Sequence, residues 1–302
     1  MSIKTSSPEC IWQIKSTLGE GTLWVSKLNS LFFVDIKEKK VLIFNTKTGR
    51  KKIIKVNKEI GFISQINNKI YILGLKSELR FVNFKNLKTR ISIPIELEKP
   101  DNRINDGKID PAGRLWFGTM NNHEKKKSGS LYCLDKKLIL HKVDDNYLIT
   151  NGPAFIDKNN FYHTDTLKRT IYKIKINNQF KVLNKDIFIK FSKRLGFPDG
   201  MTTDKNNNLW VCHYGAGIIT VYNLKGKRIH KISIPAKNIT NCTFGGKFNN
   251  ELYISTARQG MSKKEIDQLP LSGSLFKVKT NLKGKKQIFF KSAKINFNNQ
   301  GY

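Results

Sequence analysis

Six short apolar, aromatic-rich pentapeptides recur along the chain: LFFVD from Leu31, IYILG from Ile70, LWFGT from Leu115, FYHTD from Phe161, LWVCH from Leu209 and LYIST from Leu252. Successive starts lie 39, 45, 46, 48 and 43 residues apart. A second strand-like segment follows each: KVLIFN (Lys40), ELRFVN (Glu78), GSLYCLD (Gly129), RTIYKI (Arg169), GIITVYN (Gly217) and GSLFKV (Gly273). A third apolar piece often comes next, as in RKKIIKV (Arg50) or RIHKISI (Arg228), and turns rich in Asn, Lys and Gly separate the segments. β-Branched and aromatic content of this kind favours strands. A period of 40–50 residues with several strands per unit marks a propeller blade, because one such unit cannot bury its apolar face alone. Six units predict an all-β, six-bladed β-propeller over 1–302. CIWQIK near Cys10 precedes the first unit and is expected to pair into the last blade, closing the ring and covering an edge. SKKEIDQLP (Ser262–Pro270), with Ser262 and Glu265 spaced as a capping box, is the one helix expected.

Composition narrows the partners. The chain has 302 residues, with Lys and Arg at 55 against Asp and Glu at 23, a formal net charge of +32. The lysines fall in short turns along the whole length, as in IKEKK (Ile36–Lys40) and HEKKKSG (His123–Gly129), with no aromatic-interleaved basic stripe. They read as a solvated surface rather than a nucleic-acid interface, although so positive a field speeds encounter with anions. No apolar run approaches the ~20 residues that span a bilayer. The start, MSIKTSSPECIWQIK, lacks the apolar core of a signal peptide. Cys10, Cys133, Cys212 and Cys242 form no CxxC and read as free thiols in a reducing compartment. The expectation is a cytoplasmic protein with no nucleic-acid or membrane partner, and nothing in the sequence demands more than a monomer.

The repeat permits a sharper reading. Ten residues before the pentapeptides stand Asn105, Asn151 and Asp199 in units three, four and five. In unit one the same count reaches Gly21, beside Glu20; in unit six it reaches Cys242, beside Asn241. If this position opens the innermost strand, these side chains converge at one mouth of the central channel. Two carboxylates and amide oxygens at one point suit a divalent cation such as Ca²⁺, Mg²⁺ or Mn²⁺. Zn²⁺ more often takes His or Cys, though carboxylates can hold it. Asp110, Asp157 and Asp204, shortly before three pentapeptides, head the turns DPAGR, DKNNF and DKNNN and read as structural.

At these same residues the sequence resembles the regucalcin/gluconolactonase (senescence marker protein) family. The matching segments are LGEGTLW (Leu18–Trp24), RINDGKIDPAGRLWFGTM (Arg103–Met120), TNGPAF (Thr150–Phe155), FPDGMTTDKNNNLWV (Phe197–Val211) and TNCTFGG (Thr240–Gly246). The resemblance implies a six-bladed propeller with one divalent metal ion (Ca²⁺, Zn²⁺, Mn²⁺, Mg²⁺ or Fe²⁺) on its axis and hydrolysis of a sugar lactone. It makes Glu20, Asn151 and Asp199 metal ligands, and it places Asn105 and Arg103 against substrate. Asp199 would also take the proton from an attacking water. Two departures stand out: Thr22 replaces a proline common after LGEG, and Asn207 stands where the turn usually has glycine. Some members bind substrate through an acidic residue shortly after GTM; here that region reads NNHEKKK, leaving His123 and Glu124 as candidates. No GxSxG elbow is present. The alternative readings are a related propeller acting on other lactones or on phosphotriesters with a calcium pair, a calcium-binding or regulatory propeller without turnover, and an interaction scaffold or RNA-binding propeller using its basic surface.

Overall fold

The computed structural model describes residues 2–86 and 88–292. Among them, 24 strands form six four-stranded antiparallel sheets. The first five sheets each take four consecutive strands, starting at Gly19–Val25, Ile60–Gln65, Asn102–Ile109, Thr150–Phe155 and Phe197–Thr203. The sixth contains Asn238–Gly245, Glu251–Ala257 and Leu275–Lys279, and its fourth strand is Glu9–Trp12 from the other end of the chain. Cys10 lies opposite Phe276. The predicted ring closure is therefore present, with the N-terminal strand covering the outer edge of Leu275–Lys279.

The pentapeptides supply the second strand of every sheet, and they are buried almost without a break. They are buried on both faces because each blade packs against the next. Trp116, for example, sits between blades three and four against Phe155 and Phe161, with ring centroids at 6.3 and 4.8 Å. The outermost strands, such as Lys51–Lys55 and Arg228–Ser233, are largely exposed and lysine- or arginine-bearing, which blunts the sheet edges. The helix forms at Lys263–Gln268 with the expected box: Glu265 N donates to Ser262 Oγ at 3.3 Å, and Ser262 N donates to Glu265 Oε2 at 2.9 Å.

The turn aspartates behave as read. Asp110 Oδ1 accepts from the amides of Ala112 (2.8 Å) and Arg114 (2.9 Å), and Asp204 Oδ1 from those of Asn206 (2.8 Å) and Asn208 (3.0 Å). Asp157 does the same for Asn159 (2.8 Å) and Asn160 (2.9 Å). In blades three and five the second oxygen also accepts from an indole N–H, Trp116 on Asp110 and Trp210 on Asp204, both at 3.0 Å. Asn207 adopts φ +62°, the left-handed conformation that the sequence required of it. Cys133, Cys212 and Cys242 are buried free thiols, and Cys10 is half-buried.

After the last strand, residues 283–291 run across the end of the channel remote from the acidic cluster. Lys205 N donates to Lys283 O (2.9 Å) in blade five, and Lys285 Nζ reaches the carbonyls of Phe155 (2.7 Å) and Ile156 (2.8 Å) in blade four. Lys291 N meets Gly113 O (2.9 Å) and Phe290 N meets Gln65 O (3.0 Å) in blades three and two.

Candidate active site

All six innermost strands carry an irregularity at or beside the counted position. In blade one Glu20 pairs with Val34, and pairing resumes only at Leu23–Phe32. Asn151 likewise closes the ladder, opposite Thr164, before it resumes at Ala154. Asn105 and Asp199 stand one step further on, inside the bulges that follow Ile104 and Pro198. The four side chains thus come from two adjacent registers rather than one, and the extra residue of each bulge turns them to the axis. Such convergence demands close strands. A Cβ on Gly61 would lie 2.0 Å from Asn105 O, and one on Gly200 would lie 2.6 Å from Thr240 O. Glycine at 61, facing Asn105, and at 200, next to Asp199, is a condition of that approach.

The result is a cavity of about 270 Å³ at one mouth of the channel, lined by Glu20, Arg103, Asn105, Glu124, Asn151 and Asp199. Met120, Thr166, Phe197, Tyr214 and Gln259 complete its wall. Among the predicted residues His123 is the exception: it is exposed and is not part of this lining. Glu124 takes the place at the rim, its backbone turned to φ +61°, and projects into the cavity where the neighbouring imidazole does not.

The amides are held tightly. Arg103 donates to Asn105 Oδ1 at 2.6 Å, and Asn105 Nδ2 donates to Thr150 O (2.7 Å) and Asn151 Oδ1 (3.1 Å). Asn151 Nδ2 in turn donates to Thr166 Oγ1 at 2.8 Å, so its carbonyl oxygen faces Asn105 and the axis. Arg103 is only 4% exposed, and its Nε donates to Asn122 Oδ1 at 3.0 Å. Burial lowers its pKa, and the neighbouring Glu59, Glu124, Glu20 and Asp199 counter that effect.

The counting missed Asp106. It follows Asn105 in the same bulge and is 2% exposed. Its carboxylate accepts from the amides of Gly107 (2.9 Å) and Gly152 (3.1 Å) and from Asn241 Nδ2 (3.3 Å). Thr22 Oγ1 donates to Asn241 Oδ1 at 2.7 Å, which gives the departure from proline a structural use. Asp106 therefore ties together the strands that carry Asn105, Asn151 and Asn241, below the mouth. Its signal in the sequence was adjacency: a bulge lets two consecutive residues face the axis.

Three buried carboxylates with one buried arginine are electrostatically uncomfortable. Burial, then the charge of Asp106, pushes the Glu20 carboxyl up to about 8. Burial and the charges of Glu20 and Asp106 hold Asp199 well above the ordinary range, and burial raises Asp106 too. Like charges in a dry site favour the protonated forms unless a cation intervenes. The donors fit a hard divalent cation: two carboxylates and amide carbonyls, all oxygen. Among the described residues no three His, Cys, Asp or Glu side chains group as a metal cluster. A cation here would thus rest on two carboxylates and amide oxygens, with Asp106 committed to backbone amides and Asn241.

The chain has known relatives. The family described as SMP-30/Gluconolactonase/LRE-like region matches residues 18–258. Regucalcin of Pongo abelii is 31% identical over 278 residues, covering 89% of this chain and 93% of that protein. The structure of a calcium-binding regucalcin from Agrobacterium tumefaciens superposes with a TM-score of 0.90 at 22% identity, covering 95% of this chain and 97% of the other. A gluconolactonase from Xanthomonas campestris gives 0.74 at 18% identity, over 90% and 89%. The last two establish the six-bladed fold. A family match that takes in every segment from LGEG through Ala257, with the inward-turned Glu20, Asn151 and Asp199 inside it, places this chain in the SMP-30/gluconolactonase family.

Proposed function

We propose that this protein opens a sugar lactone, of the gluconolactone, xylonolactone or arabinonolactone kind, to its aldonic acid with the help of one divalent cation. The observation that carries the reading is the convergence of Glu20, Asp199 and Asn151 on one cavity, with raised carboxyl pKa values and Arg103 as the one basic side chain among its described lining residues. Glu20, Asn151 and Asp199 would hold the ion. When bound, such an ion supplies Lewis-acid polarisation of the carbonyl oxygen and acidifies water.

The chain's own groups do the rest. Asp199, ionised once a cation neutralises its neighbours, accepts the proton of the attacking water. The Arg103 guanidinium presents donors on one side of the cavity and Asn105 Oδ1 an acceptor beside it, where ring hydroxyls or the ring oxygen can dock, and Glu124 at the rim accepts from a sugar hydroxyl. The prior hydrogen bonds of Arg103 and Asn105 fix these two groups before substrate arrives, which lowers the reorganisation needed in the transition state.

Two outcomes follow. Arg103→Ala should raise KM by about tenfold or more with a smaller effect on kcat, as expected for a group that positions substrate; unchanged steady-state constants would return Arg103 to a purely structural role. The second concerns pH. Carboxyls whose folded pKa is raised add stability that is fully present below their unfolded value, 4.5 for Glu20, and that is lost as pH rises through about 8. The metal-free protein should therefore melt progressively lower between those pH values. A divalent cation, competing with protons, should raise Tm more at the upper end than at the lower. Thermal melts with and without chelator check this, and a cation effect independent of pH would contradict it.

A further inference from the structure

The opposite mouth of the channel has a different chemistry. A second cavity of about 750 Å³ lies there, floored by the far ends of the innermost strands and walled by residues 283–289 of the crossing tail. Lys27, Lys108, Lys205, Lys247, Lys283, Lys285 and Lys286 line it, and the described lining contains no Asp or Glu. None of these seven lysines forms an ion pair with a described carboxylate, whereas lysines such as Lys37, Lys99, Lys168 and Lys237 elsewhere do. Two are fixed in place: Lys285 Nζ by the carbonyls of Phe155 and Ile156, and Lys108 Nζ by Met201 O. Burial lowers the pKa of Lys285. Gln287, also in the wall, has both side-chain amide atoms buried with no hydrogen-bond partner. A polar amide left orphaned is costly unless a ligand satisfies it.

The wall also carries aromatic faces. Phe248 is 62% exposed at the rim, with Lys247 Nζ 5.4 Å from its ring centroid, and Phe155, Phe244 and Phe289 lie deeper. An exposed ring beside unpaired ammonium groups suits a ligand with a flat unsaturated body and several negative charges.

We propose that this basal mouth is a second small-molecule site that binds an aromatic polyanion, with a nucleoside diphosphate as the chemical type. Lys27, Lys205, Lys247 and Lys286 would take the phosphates, Phe248 would stack on the base, and Gln287 would pair with ligand polar atoms, while Lys285, whose ammonium is held by Phe155 O, Ile156 O and Asn207 Oδ1, adds only its charge. The site is separate from the proposed lactone pocket and does not depend on it.

The test is calorimetric titration of the full-length protein with ADP, pyrophosphate and adenosine. ADP should bind once per chain with a Kd below about 1 mM, more tightly than either fragment. Lys27→Glu/Lys205→Glu/Lys286→Glu, all at exposed positions, should weaken ADP by about tenfold or more. Lys55→Glu/Lys175→Glu/Lys231→Glu, of identical net charge but outside the channel, should leave it within about twofold. Phe248→Ala should weaken ADP and spare pyrophosphate, and it changes an exposed side chain that the fold does not need. Equal loss in the two triple variants would reduce the effect to overall charge and overturn the site. So would the absence of saturable ADP binding, and pyrophosphate binding as tightly as ADP would overturn the aromatic half.

Discussion

Asp199→Ala should bring lactone hydrolysis down to the spontaneous rate and remove the divalent cation, while the propeller stays folded. The loss should be ~10³-fold or more, because polarisation by a cation contributes several kcal/mol and each factor of ten in rate corresponds to about 1.4 kcal/mol. The fold should survive for an electrostatic reason. The Asp199 carboxyl is buried, and Glu20 and Asp106 raise its pKa, so it is a strained group in the metal-free chain rather than a support. Its removal should leave the Tm of the chelator-treated protein unchanged or higher. Asp199→Asn keeps the shape and loses the charge, so it should share the activity defect. Calorimetry with Ca²⁺ or Mn²⁺, circular dichroism and a rate assay on one preparation would show all three effects. A variant that keeps wild-type turnover would remove Asp199 from the site.

The largest loss of stability should come from Asp110→Ala. Asp110 is fully buried, and its carboxylate accepts from the amides of Ala112 and Arg114, from Trp116 Nε1 and from the Arg114 guanidinium. Arg114 is itself held over the rings of Trp116 and Phe180, at 5.6 and 5.1 Å. Alanine would leave a mostly buried guanidinium unpaired and orphan a fully buried indole N–H, a change that costs ~3–5 kcal/mol. Asp157→Ala makes the same change in an exposed turn, where the carboxylate serves only Asn159 and Asn160, and should cost ~1 kcal/mol or less. Denaturant unfolding of the two variants checks the contrast. Similar losses in both would mean that the indole and guanidinium bonds contribute little.

These two aspartates show how far the sequence could be read. Blade number, ring closure through Cys10 and the helix at Ser262 were legible because each depends on local pattern: apolar runs at a fixed spacing, or a capping pair three residues apart. Asp110 and Asp157 look alike in sequence, and both do make the predicted turn. Only packing distinguishes them, since Trp116 and Arg114 fold back onto one and nothing of the kind reaches the other. At the site, the sequence pointed to Glu20, Asn151, Asp199, Asn105 and Arg103, which do line one cavity, but not to their register, because bulges displace Asn105 and Asp199 by one step. The same bulges hid Asp106. Between His123 and Glu124 the turn geometry decides, and φ +61° at Glu124 is not a property that its neighbours' identities announce. The basal lysines were the least legible. Lys27, Lys205 and Lys286 lie in unrelated turns and resemble every other surface lysine of a chain with net charge +32. Only the return of the tail across the channel brings them to one cavity.

The most direct measurement is proton release by the chelator-treated protein against a panel of aldonolactones, with Ca²⁺, Mn²⁺, Mg²⁺, Zn²⁺ or Fe²⁺ added back in turn and Asp199→Ala as the background. A lactonase that holds its cation through Glu20, Asn151 and Asp199 will show little rate without cation and a restored rate well above that background for at least one lactone. Demonstrated cation binding with no lactone opened by any pair would contradict the enzymatic reading and leave a metal-binding propeller without turnover.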